Sequence, residues 1–156
     1  MRPSVWILLT FLLLSPVLAQ FQLPGNFPDP CKLLSEGEVS AAMGTKLESL
    51  AKANQGAQAM VGLPVPMCLW SGEGVEVRLD LNPIYPKRAP KLGQNPTPVK
   101  EAALGEGAFY TREGKERVFL FAQGFSLMVT HPKRSPLEAA LELARKVASR
   151  LEKGTP

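Results

Sequence analysis

The sequence predicts an α+β fold: a two-layer domain in which an antiparallel sheet of about five strands carries an N-terminal and a C-terminal helix on one face. Three observations carry that expectation. Residues 75–81 alternate apolar and polar as Val-Glu-Val-Arg-Leu-Asp-Leu, the period of a half-buried strand. Three further short apolar runs between 108 and 130 are divided by glycine-bearing turns, and residues 135–151 repeat apolar positions at spacings of three and four.

Taken in chain order, the first element is not part of the fold. Arg2 precedes the apolar run Val5 to Leu14, and Ser15-Pro16-Val17-Leu18-Ala19 follows, the pattern of a secretory signal peptide cleaved after Ala19. The run is short of the roughly 20 apolar residues that a membrane span needs, so no span is expected after processing. Cleavage leaves 137 of the 156 residues, enough for one domain with one core. At 45% hydrophobic and 21% charged residues, the chain falls outside the disordered, collagenous and disulfide-dense classes.

Residues 20–34 hold Pro24, Pro28 and Pro30 with Gly25 and Asn26, and are expected to form an extended leader; a single domain then spans 35–156. Ser35 stands three residues before Glu38 in a capping box, so a helix is predicted from Glu36 to Met43, with Val39, Ala42 and Met43 on one face and Gly44 closing it. A second box, Thr45 with Glu48, predicts another short helix carrying Leu47, Leu50 and Ala51 before Gly56. Met67 to Trp70 is expected to pair with 75–81 across Ser71-Gly72-Glu73-Gly74. Strands follow at 108–112, 117–123 and 125–130. The middle one, apolar on both faces, is expected at the sheet centre, covered on each side. Ser135 is expected to cap the last helix, with Pro136 in its first turn and Glu138 completing the box. Leu137, Ala140, Leu141, Ala144, Ala148 and Leu151 form its apolar stripe, Glu142 pairs with Lys146, and Gly154 ends it.

The two cysteines, Cys31 and Cys68, both survive processing, and an exported chain meets an oxidising compartment, so a disulfide is the expected state. A metal pair or a catalytic thiol are the sharper alternatives. Zinc, however, needs about four clustered ligands, and the single histidine, His131, has no partner at ligand spacing. No metal, no cofactor and no catalytic residue is therefore assigned. His131, between a strand end and Pro132, is expected to be a solvated turn residue. The carboxylate pairs Glu36 with Glu38 and Glu138 with Glu142 sit at helix starts, where caps and dipole account for them.

Charge points to one segment. Without Arg2 the chain has 17 Lys+Arg against 14 Asp+Glu, and the three cations Lys87, Arg88 and Lys91 lie without an acid between Asn82 and Pro98. With Tyr85 beside them in a proline-stiffened loop, they are the candidate partner-binding residues, for an envelope protein or an anionic envelope polymer; a solvated connection is the competing reading. The face bearing Glu76, Arg78 and Asp80 has mixed charge and is expected to be solvated. There is no specific nucleic-acid signature.

Five segments together resemble a family. Asp29-Pro30-Cys31-Lys32-Leu33-Leu34 stands before a capped helix and Cys68-Leu69-Trp70 opens a strand. Leu104-Gly105-Glu106-Gly107-Ala108-Phe109, the run from Gly124 to Val129, and the helix from Leu143 to Leu151 follow in the same order. This order resembles bacterial envelope proteins of unknown function, many of them lipoproteins. The resemblance implies a Cys31–Cys68 bridge, an architecture similar to sensor domains of envelope receptor kinases, and no catalytic residues. Those lipoproteins carry a lipobox cysteine at the cleavage site, whereas Gln20 stands here, which favours a soluble secreted or periplasmic form. The function expected from all this is a non-catalytic binding or sensor-like module; the alternative is a small secreted hydrolase using carboxylates.

Overall fold

The computed structural model describes residues 28–50, 66–81 and 95–153. The signal segment, most of the leader, the continuation of the second helix beyond Leu50, the loop with Tyr85, Lys87, Arg88 and Lys91, and Gly154 lie outside the described residues.

The chain is α+β, with one antiparallel sheet and a long C-terminal helix. Its helices are α1 (Pro30–Leu33), α2 (Glu36–Met43) and α3 (Leu137–Glu152), and a short 3₁₀ turn spans Ala102–Leu104. Its strands are β1 (Glu48–Ser49), β2 (Met67–Gly72), β3 (Val75–Asp80), β4 (Thr97–Pro98), β5 (Phe109–Glu113), β6 (Arg117–Ala122) and β7 (Phe125–Thr130). They lie in the order β1-β2-β3-β7-β6-β5-β4, seven strands rather than about five. The two additional strands are two-residue edges, too short to carry a period.

Two sequence expectations for the N-terminal region are corrected. The leader does not stay extended to residue 34: Asp29 accepts the Cys31 amide at 2.9 Å and Pro30 takes the first helical position, so α1 forms and buries Leu33 and Leu34 in the core. Thr45 and Glu48 do not start a helix. The Ser40 hydroxyl accepts the Leu47 amide at 2.9 Å, Glu36 accepts the Ser49 amide at 2.9 Å, and Leu50 donates to the Leu69 carbonyl at 2.8 Å, which together lay the segment down as β1. Thr45 donates instead to Glu73 at 2.8 Å, and Leu47 becomes core. This approach is tight enough that a Cβ on Gly72 would stand 2.4 Å from the Lys46 carbonyl oxygen.

The Ser35–Glu38 box forms as predicted, and Gly44 closes α2 in the left-handed region. The β2–β3 hairpin also forms, turning on Glu73 and Gly74, both at positive φ, as a two-residue turn matched to strand twist requires. α3 departs from its expected cap. Pro136, not Ser135, is the boundary residue, and no side chain caps it. The stripe is rotated too: Ala140, Leu143, Ala144, Val147 and Ala148 are buried, while Leu141 is half-buried. Both stripes satisfy the same spacing; the alanines let Leu143 and Val147 approach the sheet closely. Glu142 and Lys146 pair at 3.2 Å as expected.

The helices meet one face of the sheet. α1 packs on β2, α3 packs on β6 and β7, and α1 and α2 both touch α3. Trp70, Val77, Leu79, Val118, Leu120, Phe125, Leu127 and Val129 supply the sheet side of that core. Two crosslinks hold the helical layer. Cys31 is bridged to Cys68 with Cα atoms 5.1 Å apart, so the disulfide is present. Arg150 donates to the Leu33 carbonyl and to both oxygens of Glu38, at 2.9 and 2.6 Å.

Two predictions follow from those crosslinks. Thiol titration of denatured, unreduced protein should find no free cysteine, and Cys31→Ser with Cys68→Ser should cost roughly 4 kcal/mol, the chain-entropy value for residues 37 apart, read from denaturant midpoints. The Glu38 carboxyl is held down to about 2, chiefly by its hydrogen bond to Arg150, against the opposing effect of burial. Its pairing therefore stabilises the fold above the ordinary glutamate range and is lost as pH falls toward 2. Glu38→Gln should flatten that acid limb while changing stability least at the lowest pH.

Candidate functional site

Strand register places the polar and apolar side chains of the face opposite the helices in three rows. Each step along a row is one strand spacing, about 4.8 Å. The first row runs Pro98, Phe109, Phe121, Ser126, Asp80, Met67, from β4 to β2. The second runs Thr111, Phe119, Met128, Arg78, Leu69. The third runs Glu113, Arg117, Thr130, Glu76, Ser71, Glu48.

The third row is the solvated mixed-charge surface expected from the sequence. Arg117 bonds Glu113 at 2.8 Å and Thr130 at 3.0 Å there. The first two rows are not. Phe109 and Phe121 are stacked with ring centroids 4.8 Å apart, Phe119 packs against them, and both stacked rings are almost fully buried. β6 is interior, as expected, and its second apolar face is this aromatic cluster rather than a second helical layer among the described residues.

Arg78 and Asp80 sit where the aromatic sector meets β3. The guanidinium donates through Nε and one terminal nitrogen to a single oxygen of Asp80, at 3.0 and 2.9 Å. The carboxylate is only 13% exposed and the arginine 44%, which corrects the expectation that this face is solvated throughout. The reason is the neighbouring row: Phe119, Phe121, Ser126 and Met128 close around Asp80 and leave a cleft of about 70 Å³. Desolvation pushes the Asp80 carboxyl above its ordinary value, outweighing the charge and hydrogen bond of Arg78. The cleft is thus an apolar wall with one ion pair, an arrangement that can orient a small polar or anionic group.

Among the other ionisable groups singled out from the sequence, Glu36, Glu38 and His131 have structural partners. Glu36 and Glu38 hold β1 and Arg150, as described above. His131 is not a solvated turn residue: it is 8% exposed, and its Nδ1 accepts the Lys133 amide at 3.1 Å. Cys31 and Cys68 are joined to each other and not to a metal, and the Ser49 hydroxyl lies 4.0 and 3.7 Å from their sulfurs. The structure does not bring Tyr85, Lys87, Arg88 and Lys91 to the cleft or away from it, since they are outside the described residues.

Phe119, Phe121, Ser126 and Met128 were not legible as site residues from their own strands. The signal was joint: β6 apolar on both faces, next to a strand that carries Arg78 and Asp80 on the same side. Comparison with protein-family models, with curated proteins and with solved structures gives no match to this chain.

The imbalance between desolvation of Asp80 and its pairing with Arg78 gives a directional prediction. Asp80→Asn removes the charge whose desolvation dominates, so it should leave stability nearly unchanged or raise it. Arg78→Met leaves a buried carboxylate without its cation and should destabilise measurably at neutral pH, less so below the Asp80 titration. Denaturant melts of the two variants at pH 7 and pH 4 check the order.

Proposed function

We propose that the chain is an exported, non-catalytic binding module of the cell envelope, similar to envelope sensor domains, that receives an anionic group of a partner protein or envelope polymer at Arg78. The observation that carries the reading is the cleft: a half-exposed guanidinium fixed by a desolvated carboxylate against Phe119, Phe121 and Met128. The aromatic wall lowers the local dielectric and strengthens any charge-assisted bond that Arg78 makes to an incoming anion. Asp80 holds the guanidinium in one orientation, so less side-chain freedom is lost on binding.

Export is supported by the N-terminal sequence pattern and by the Cys31–Cys68 bridge, which belongs to oxidising compartments. The basic segment with Tyr85, Lys87, Arg88 and Lys91 joins the proposal as a second, steering contact, on sequence grounds alone. The raised Asp80 carboxyl is the one observation that favours the hydrolase alternative. Two-carboxylate hydrolysis needs a second acid across from it, and the described residues lining the cleft supply none.

The test uses the chain from Gln20 to Pro156 and anionic envelope polysaccharide, titrated at low and at near-physiological salt. Binding should weaken several-fold in Arg78→Met and again when Lys87, Arg88 and Lys91 are all replaced by Ser, and it should fall with salt. Equal binding by wild type and Arg78→Met would remove the cleft from recognition. Recovery of the protein in the cytoplasmic fraction of expressing cells, with reduced cysteines, would remove export.

A further inference from the structure

His131 is the only histidine of the chain, and the proposed binding role makes no use of it. It follows β7 directly, and three different parts of the fold converge on the turn that it opens. Its backbone amide donates to the Glu116 carbonyl at 2.8 Å, which ties the turn to the approach to β6. Pro132 lies against the β2–β3 turn, 3.8 Å from where a Cβ on Gly74 would stand. Arg134 reaches across to α2, where it donates to the Ala42 carbonyl at 3.0 Å and covers Gly44. The imidazole is the only side chain shown bonding within the turn: Nδ1 accepts the Lys133 amide at 3.1 Å.

We propose that His131 is a proton-operated latch for residues 131–135. A nitrogen that accepts a hydrogen bond has no proton, so this turn requires the neutral imidazole with its proton on Nε2. The imidazolium donates from both nitrogens. Protonation therefore converts the acceptor facing the Lys133 N–H into a second donor and removes the bond. Because the side chain is buried, the charged ring also loses solvation where it stands, so both terms drive it outward. Opening the turn exposes Nδ1 to water, where it can carry the proton; lowering pH thus favours the open form. Once residues 131–135 leave, Arg134 no longer holds the last turn of α2.

The surrounding charges are of both signs, with cations nearest in the chain. On the turn itself Lys133 and Arg134 are cations, and both oppose an imidazolium between β7 and α3. Glu116 and Arg117 flank the approach to β6, Glu73 stands in the β2–β3 turn, where it accepts from Thr45, and Glu138 lies in the first turn of α3. The last turn of α2 has no basic residue of its own, which leaves Arg134 as the cation at that helix end.

Amide hydrogen exchange tests the proposal, corrected for the intrinsic effect of pH and read at Lys133 and at Gly44 and Thr45. Wild-type protection at Lys133 should fall at least tenfold between pH 7.5 and pH 5, with a smaller fall at the end of α2. His131→Asn keeps a side-chain acceptor two residues before Lys133 and cannot titrate, so its protection should be the same at both pH values. Nitrogen-15 shifts of the imidazole in the wild type give a second reading that needs no variant. Nδ1 should gain its proton over the same range in which Lys133 loses protection. A ring that becomes charged while Lys133 stays protected, or an Asn variant with the wild-type pH dependence, would overturn the latch.

Discussion

Arg150 joins α3 to two N-terminal segments that lie more than a hundred residues earlier in the sequence, and the placing of the helical layer depends on it. One guanidinium takes the last carbonyl of α1, both oxygens of Glu38 in the first turn of α2, and its own position on α3. Glu38 is at the same time the returning half of the capping box with Ser35. The helix start and the interhelical contact are therefore one network, and a change to either residue acts on both. The disulfide fixes the other side of the same layer, since Cys31 follows the first residue of α1 and Cys68 lies on β2. With α1 held to the sheet by sulfur and to α3 by Arg150, the short N-terminal helices are fixed by these crosslinks as well as by the burial of Leu33, Val39 and Met43. Helices of four and eight residues are too short to persist without such contacts.

The cleft depends on topology more than on local sequence. β3 and β7 pair although the chain leaves the first hairpin, crosses to the far edge at β4 and returns through β5 and β6. That order sets Arg78 and Asp80 beside Ser126 and Met128, and sets those beside Phe119 and Phe121. Had the last strand added at the edge, the ion pair would face solvent on the outside of a hairpin and Asp80 would titrate as an ordinary carboxylate. Non-local pairing of this kind supplies the desolvation that pushes the Asp80 carboxyl up.

Much of the framework was legible because period and caps act locally. The alternation of 75–81, the box of Ser35 with Glu38 and the turn at Gly74 each determine their own neighbourhood, and each forms. Where the reading missed, a longer-range contact overrode a local signal. Thr45 and Glu48 have the spacing of a cap, yet Ser40, Glu36 and Leu69 take the backbone groups of the segment first. Ser135 is a good cap residue, but the chain enters α3 with Pro136 at the boundary. The cleft was hidden for a different reason. A strand pattern states which residues share a face but not which strand lies next to it, so the burial of Asp80 could not be read until the neighbours were known.

β7 borders both features discussed above, lining the cleft with Ser126 and Met128 and leading into the turn at His131, and the fold supports the two parts unequally. Ser126 and Met128 lie within a strand paired along its length on both sides, by β3 and by β6. Openings that reach such a strand require nearly global unfolding. The turn after Thr130 has no ladder, and it is held by single bonds to Glu116, Lys133 and Ala42. Losing them costs local free energy and leaves the β3–β7 and β6–β7 registers intact. Ser126 and Met128, held in the ladder, wall the ion pair that β3 presents, whereas the turn that opens at His131 hangs on single bonds, so a change in the turn need not disturb the cleft.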